Sequence, residues 1–169
     1  MLKYIIGLFC LTLTFCVQAA ENPLTNLGTF GVWTSYVYQD ADGKVCYMST
    51  EPEKSVGKYK KRDDVFLTVT HRPSDKTFDV VNVVAGYTYK KGYKPTITVD
   101  KKAAVSLVSH ENGAWAKDSK TDQQLVSQMK SGSVAVLRGT SKRGTVTTDT
   151  FSLKGFSKAY REISEACGQ

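Results

Sequence analysis

Apolar and polar residues alternate over much of the chain, with the two-residue period that is typical of β-strands. The alternation is clearest at 65–71, where Val65, Leu67 and Val69 share one side. Asp42-Gly43 and Asn112-Gly113 between such stretches favour two-residue hairpin turns. The segment 51–64 is polar and is predicted to be a loop. Strands are predicted over 29–38, 44–50, 65–71, 78–85, 96–99, 103–109, 114–116, 133–139 and 145–153.

Two stretches instead have helical character. Thr121 and Gln124 have the spacing of a capping box, and Gly132 suits the left-handed position after a helix end. Near the C-terminus, apolar residues fall on one helical face, at Phe156, Ala159, Tyr160, Ile163 and Cys167. The pattern predicts a mainly β protein, either a sandwich or a barrel, with a short internal helix and a C-terminal helix.

The first residues have the pattern of an export signal. Lys3 precedes an apolar run over 4–15, and Val17 and Ala19 place small residues before a cleavage site after Ala19 or Ala20. The run is shorter than the ~20 apolar residues that span a membrane. We therefore predict a signal peptide at 1–19 and a single domain at 20–169, with no transmembrane segment after signal removal. Phe15 disfavours lipidation at Cys16.

Export changes the interpretation of the cysteines. Cys10 and Cys16 would leave with the signal, and Cys46 and Cys167 would remain in an oxidising compartment. The simplest interpretation is one intramolecular disulfide between these two residues. Two free thiols or an intermolecular bridge are the alternatives.

The formal net charge is +7, and it falls by one when Lys3 is removed. This excess favours contact with anionic surfaces such as lipopolysaccharide, phospholipid headgroups or glycans. Ser109-His110-Glu111 contains the residue types of a hydrolase triad. Neighbours on a strand, however, point to opposite faces and cannot pass a proton along. The sequence contains no metal-binding spacing. Because it offers neither a catalytic triad nor a metal site, we predict a protein that is not an enzyme and has no cofactor.

A basic and aromatic segment is the most suggestive functional feature. Three tyrosines stand among three lysines at Tyr87, Tyr89, Lys90, Lys91, Tyr93 and Lys94. Aromatic rings among cations can stack on sugars or bases while lysine neutralises anionic groups. More cations that could join this surface are Lys54, Lys58, Lys60, Lys61 and Arg62. The alternative is a solubilising strand edge. Because export is predicted, nucleic acid is not expected as a partner.

The C-terminal half resembles the invasion-associated locus B family. The residues that carry the resemblance are Met129-Lys130-Ser131-Gly132, Val134 to Leu137, Arg143-Gly144-Thr145 and Phe151 to Phe156, with Ala159 and Cys167. Gly31-Val32-Trp33 followed by Cys46 is similar to the opening of the same family. Many members carry a further cysteine shortly after the tryptophan, and this chain has Val37 and nearby polar or aromatic residues instead.

The resemblance implies an antiparallel β-sandwich located in the periplasm, at the outer membrane or outside the cell. It also implies a link to host-cell invasion, without an established enzymatic activity. Our leading hypothesis is thus an exported, non-enzymatic protein that binds an anionic envelope or host-surface component, or another protein. The alternatives are a periplasmic inhibitor or chaperone-like partner, and an unrecognised hydrolase using His71 or His110 beside a carboxylate.

Overall fold

The structure, a computed structural model, describes residues 23–169, so the predicted signal peptide lies outside the described residues. Strands dominate this part of the chain, and two α-helices interrupt them. The strands are β1 (Thr25–Phe30), β2 (Trp33–Asp40), β3 (Gly43–Thr50), β4 (Lys54–Gly57), β5 (Phe66–Arg72), β6 (Thr77–Val84), β7 (Thr96–Val99), β8 (Val105–Ser106), β9 (Val108–His110), β10 (Gly113–Trp115), β11 (Val134–Thr140) and β12 (Val146–Ser152). The helices are α1 (Ser119–Ser131) and α2 (Phe156–Cys167), with a 3-10 turn at Pro73–Asp75.

The strands form two antiparallel sheets. The larger sheet has the order β1-β2-β3-β5-β6-β10-β9, and the smaller has the order β4-β12-β11-β7-β8. Each inner face is apolar because alternate residues of each strand point inward. The largest buried side chains include Trp33, Met48 and Leu67 from the larger sheet and Ile97, Leu137 and Phe151 from the smaller. The prediction of a mainly β sandwich with an internal and a C-terminal helix is confirmed.

Helix α2 packs across β1, β2, β3 and β5 of the larger sheet through one apolar face, as its apolar period predicts. Phe156, Ala159 and Ile163 are buried on the face that packs against β2 and β3. The helix ends at Cys167, which forms a disulfide with Cys46 on β3, with 6.0 Å between the two Cα atoms. The bridge spans 121 positions of sequence. In the chain-entropy model, a loop of that length stabilises the fold by about 5 kcal/mol.

The strand predicted over 29–38 is in fact two strands, β1 and β2, joined by a turn. Gly31 in this turn has a φ of 64°, and Gly155 before α2 has a φ of 94°. The two glycines touch: a Cβ on Gly155 would lie 1.8 Å from the Phe30 carbonyl oxygen, and one on Gly31 would lie 2.3 Å from that of Lys154. This backbone contact ties the first hairpin to the start of α2 and requires glycine on both sides.

Two further predictions differ from the structure. The segment 51–64 contains β4, whose polar sequence gives no strand pattern but whose backbone pairs with β12. The strand predicted over 103–109 is divided between two sheets. Its first part, β8, pairs with β7, and its second part, β9, pairs with β10. The buried Leu107 lies where the chain crosses between the sheets.

Helix α1 begins earlier than the predicted capping box. Asp118 is the N-cap, and its carboxylate accepts hydrogen bonds from the backbone N–H and the hydroxyl of Thr121. Gly132 after the helix is extended rather than left-handed, with a φ of −93°. Close packing, rather than a left-handed backbone, explains why position 132 is a glycine, because a Cβ there would lie 2.5 Å from a methyl group of Val99.

Candidate functional site

A cleft of about 530 Å³ opens between two basic segments of the chain. One wall is the segment 58–63, which follows β4 and which we call the lysine loop. The opposite wall is the turn 141–145 between β11 and β12, which we call the hairpin turn. Residues 86–88 form the base between the two walls, together with Thr147 of β12. A volume of this size lies within the range of ligand-binding pockets.

A buried ion pair fixes the lysine loop. The guanidinium of Arg62 donates two hydrogen bonds to the Asp149 carboxylate, at 2.6 and 2.7 Å, and a third to the Ala85 carbonyl oxygen at 2.7 Å. The side chains of Arg62 and Asp149 are only 5% and 0% exposed. Burial by itself would lower the pKa of Arg62, but the hydrogen bonds and charge of Asp149 outweigh it and raise the pKa. Arg62 is therefore neutralised by Asp149 and anchors the cleft.

Two tyrosines flank this guanidinium. Its central carbon lies 5.5 Å from the ring centroid of Tyr59 and 4.9 Å from that of Tyr87. Cations at such distances are attracted to the ring faces. The Tyr87 hydroxyl lies 2.6 Å from the Thr147 hydroxyl. Burial raises the pKa of Tyr87, so it is a neutral phenol at physiological pH. The rings are thus held in place before any ligand arrives.

Two glycines let the lysine loop approach its neighbours. Gly86 has a φ of 67°, and a Cβ there would lie 2.1 Å from the Asp63 carbonyl oxygen. The Asp63 N–H also donates to the Gly86 carbonyl oxygen at 3.1 Å. Gly57 precedes the loop, and a Cβ on it would lie 2.9 Å from the ring of Tyr59. The backbone contact at Gly86 and the ring contact at Gly57 therefore position the loop.

The hairpin turn is equally well ordered by hydrogen bonds. The N–H of Gly144 donates to the Ser141 carbonyl oxygen at 2.8 Å, and the Thr145 N–H donates to the Ser141 hydroxyl at 3.2 Å. The N–H of Lys142 donates to the Thr88 carbonyl oxygen at 2.8 Å. Lys142 and Arg143 consequently stand at the tip, facing solvent.

The electrostatics of the cleft follow from this arrangement. Five lining cations have no ion-pair partner among residues 23–169, namely Lys58, Lys60, Lys61, Lys142 and Arg143. Asp63 is the one carboxylate that lines the same cleft. Walls of one charge sign raise the local concentration of ligands of the opposite sign. The cleft is therefore suited to an anionic ligand.

The structure separates the residues of the predicted basic and aromatic segment. Tyr87 lines the cleft, but Tyr89 is only 5% exposed and lies in the core, with its hydroxyl unpaired. Tyr93 is half-buried. The three lysines are exposed but do not line the cleft: Lys90, Lys91 and Lys94. Apart from a bridge between Tyr89 and Ser141, the segment forms no strand, so period-two alternation does not govern its side chains.

The sequence pattern indicated only part of the cleft. Lys58, Lys60, Lys61 and Arg62 are among the cations that it added to the predicted surface. Tyr59, Lys142 and Arg143 were not indicated as binding residues. The hairpin turn carries an Arg-Gly pair that predicts a turn, but no local signal brings it to the lysine loop.

The histidines do not form a hydrolase site. His71 is fully buried, and its Nδ1 accepts a hydrogen bond from the Asp79 N–H at 3.0 Å. Its Nε2 therefore carries the proton and faces the Ser164 hydroxyl at 3.3 Å. Activation of a serine requires the opposite tautomer, in which Nε2 accepts the hydroxyl proton. Burial lowers the pKa of His71, which keeps the ring neutral. His110 is exposed at the end of β9.

No group of three or more histidine, cysteine or acidic side chains among residues 23–169 could hold a metal ion. None of the helices in the same range is long and apolar enough to cross a membrane.

The two antiparallel sheets, with α1 and α2 packed against them, place the chain among the β-sandwich proteins. A family model, Invasion associated locus B (IalB) protein, matches residues 33–164. The chain belongs to this family. The fold is similar to that in the crystal structure of invasion associated protein B from Bartonella henselae, with a TM-score of 0.58 and 19% sequence identity. The similarity covers 84% of this chain and 96% of that one. No curated protein sequence matches significantly.

Proposed function

We propose that this member of the invasion-associated family is an exported, non-enzymatic protein that binds an anionic component of the envelope or of a host surface. The observation that carries the proposal is the cleft with its unpaired cations. The lysine loop and the hairpin turn both line it, while Arg62 is already neutralised by Asp149. The free lysines and Arg143 are therefore the groups available to a ligand.

Export is supported by two independent features. The N-terminal sequence has the pattern of a signal peptide at 1–19, which would leave a single domain at 20–169. The Cys46–Cys167 disulfide is stable in the periplasm or outside the cell, because the cytosol keeps thiols reduced. The family and the named relative from Bartonella henselae suggest that the bound component belongs to the encounter with a host cell.

A binding role without catalysis fits the chemistry of the described residues. Among residues 23–169, the serine–histidine pair in hydrogen-bond contact is Ser164 with His71, which is buried and has the wrong tautomer to activate the serine. The cleft is lined by cations, hydroxyl groups and one carboxylate, Asp63, but by no histidine. Binding through exposed cations predicts an affinity that falls as ionic strength rises, because the Debye length shrinks to about 8 Å at physiological salt.

The test uses the mature protein with three anionic probes: heparin, polyphosphate, and vesicles of phosphatidylglycerol in phosphatidylcholine. The Lys142→Glu/Arg143→Glu variant is expected to bind the preferred probe roughly tenfold more weakly at low salt. Lys101→Glu/Lys158→Glu is the matched control, since it changes the charge equally at exposed positions outside the cleft.

Equal losses in the two variants would contradict a role for the cleft. A one-to-one complex with another envelope protein that tolerates high salt would instead favour the inhibitor or chaperone-like alternative.

A further inference from the structure

We infer that the ligand of this cleft is an acidic polysaccharide, held by a sugar ring on Tyr59 and by anionic groups at both walls. The inference rests on the proposed function and names the class of ligand. Its first support is the position of Tyr59, which lines the cleft and is 38% exposed. The exposed part of this ring offers a ligand an apolar contact surface as well as cations.

The ring of Tyr59 is preorganised. On one side it packs against the backbone of Gly57, where a Cβ would come within 2.9 Å of the ring. It is also held by the guanidinium of Arg62, which is itself fixed by Asp149. Little conformational freedom remains to be lost when a ligand ring stacks there, and reducing that loss raises affinity. Stacking of a ligand ring on an aromatic side chain adds to the affinity that the cations provide.

The distribution of the cations favours a chain over a single anion. The cations come from two segments of the chain, with Lys58, Lys60 and Lys61 on the lysine loop and Lys142 and Arg143 on the hairpin turn. A compact phosphate site uses convergent, often bidentate donors. Here the residue best placed for that role, Arg62, is occupied by Asp149. Five cations contributed by two segments of one cleft match a ligand that carries repeated anionic groups along its length.

The cleft also continues beyond its own walls. A second depression of about 640 Å³ adjoins it and shares Lys58, Arg143 and Thr145. Its other lining includes Val56 and Val146, which are 51% and 61% exposed. Apolar side chains beside cations suit a polymer whose rings have apolar faces and whose substituents are acidic. A chain can therefore run from the cleft into the depression, which a single headgroup cannot do.

The experiment measures binding by calorimetry to heparin-derived oligosaccharides of increasing length, and to polyphosphate chains of matched charge. We expect affinity to rise with oligosaccharide length and to exceed that for polyphosphate. Tyr59→Ala is expected to weaken oligosaccharide binding roughly fivefold and to weaken polyphosphate binding by a smaller factor. Tyr59→Phe should bind as the wild type does. Tyr36→Ala, on the outer face of the larger sheet, is the matched aromatic control and should also bind normally.

The possible failures are distinguishable. Equal binding of the two polymers, with no effect of Tyr59→Ala, would overturn the inference while leaving an anion-binding cleft intact. Preference for phosphatidylglycerol vesicles over both polymers would overturn it in favour of a membrane surface. Binding to none of the probes would overturn the proposed function itself. Circular dichroism and melting curves of each variant ensure that a loss of binding is not a loss of fold.

Discussion

Replacing Asp149 with asparagine leaves the guanidinium of Arg62 buried without its counter-charge. Both side chains are almost wholly buried, and two hydrogen bonds of 2.6 and 2.7 Å join them. Removing one partner of such a pair destabilises a protein by about 3–5 kcal/mol. That is a large share of the 5–15 kcal/mol that stabilises a typical domain. For a chain of this size the melting temperature should fall by roughly 10 °C.

The assay is thermal and urea denaturation followed by circular dichroism, with amide hydrogen exchange as the local measurement. The Asp63 amide should exchange faster in Asp149→Asn, because its hydrogen bond to Gly86 depends on the anchored loop. The Arg62→Met/Asp149→Leu variant is the control for charge. It should lose less stability than either single variant, Arg62→Met or Asp149→Leu, because no unpaired charge remains buried.

A loss below about 1 kcal/mol in Asp149→Asn would refute the argument that the pair is effectively desolvated. The argument would also be refuted if the double variant lost as much unfolding free energy as Arg62→Met and Asp149→Leu lose together.

Three further predictions concern the rest of the fold. Cys46→Ser/Cys167→Ser should lose up to about 5 kcal/mol in urea denaturation, and an unchanged midpoint would contradict a stabilising bridge. Burial raises the pKa of Asp122 to about 6, so the wild type loses stability as pH rises from about 4 through 6. Asp122→Asn keeps an oxygen that accepts a hydrogen bond from the Val81 N–H. Its free energy of unfolding, relative to that of the wild type, should be higher at neutral pH than near pH 4 by at most about 3 kcal/mol. Equal effects at both pH values in denaturation would contradict this. Gly155→Ala should destabilise the protein by more than about 1 kcal/mol, because a Cβ would meet the Phe30 carbonyl oxygen. An unchanged melting temperature would contradict the contact.

The fold was predictable wherever periodicity and chemistry are local. The apolar face of α2 repeats at helical spacing, and the alternation at 65–71 corresponds to β5. The disulfide could be inferred because two cysteines remain outside the predicted signal peptide. By contrast, β4 has a polar sequence and becomes a strand only because the free edge of β12 pairs with it. Such tertiary pairing leaves no trace in the local pattern.

The candidate site was only partly predictable for the same reason. The lysines of the lysine loop are visible as a charge cluster, but their partner wall lies far away in sequence. Arg62 and Asp149 are separated by 87 positions, and only the folded sheet brings them into contact. Tyr89 was expected at the surface because it stands among lysines. It is buried because the segment 87–94 is irregular and its ring lies against Gly139.

The most direct test of a binding site in the cleft is a titration of the isotopically labelled domain 20–169 with a heparin oligosaccharide, followed by amide chemical shifts. We predict perturbations concentrated at 57–63 and 141–147, with little change at Lys90, Lys91 and Lys94. Shifts confined to those three lysines, or spread evenly over the exposed cations, would contradict a binding site in the cleft.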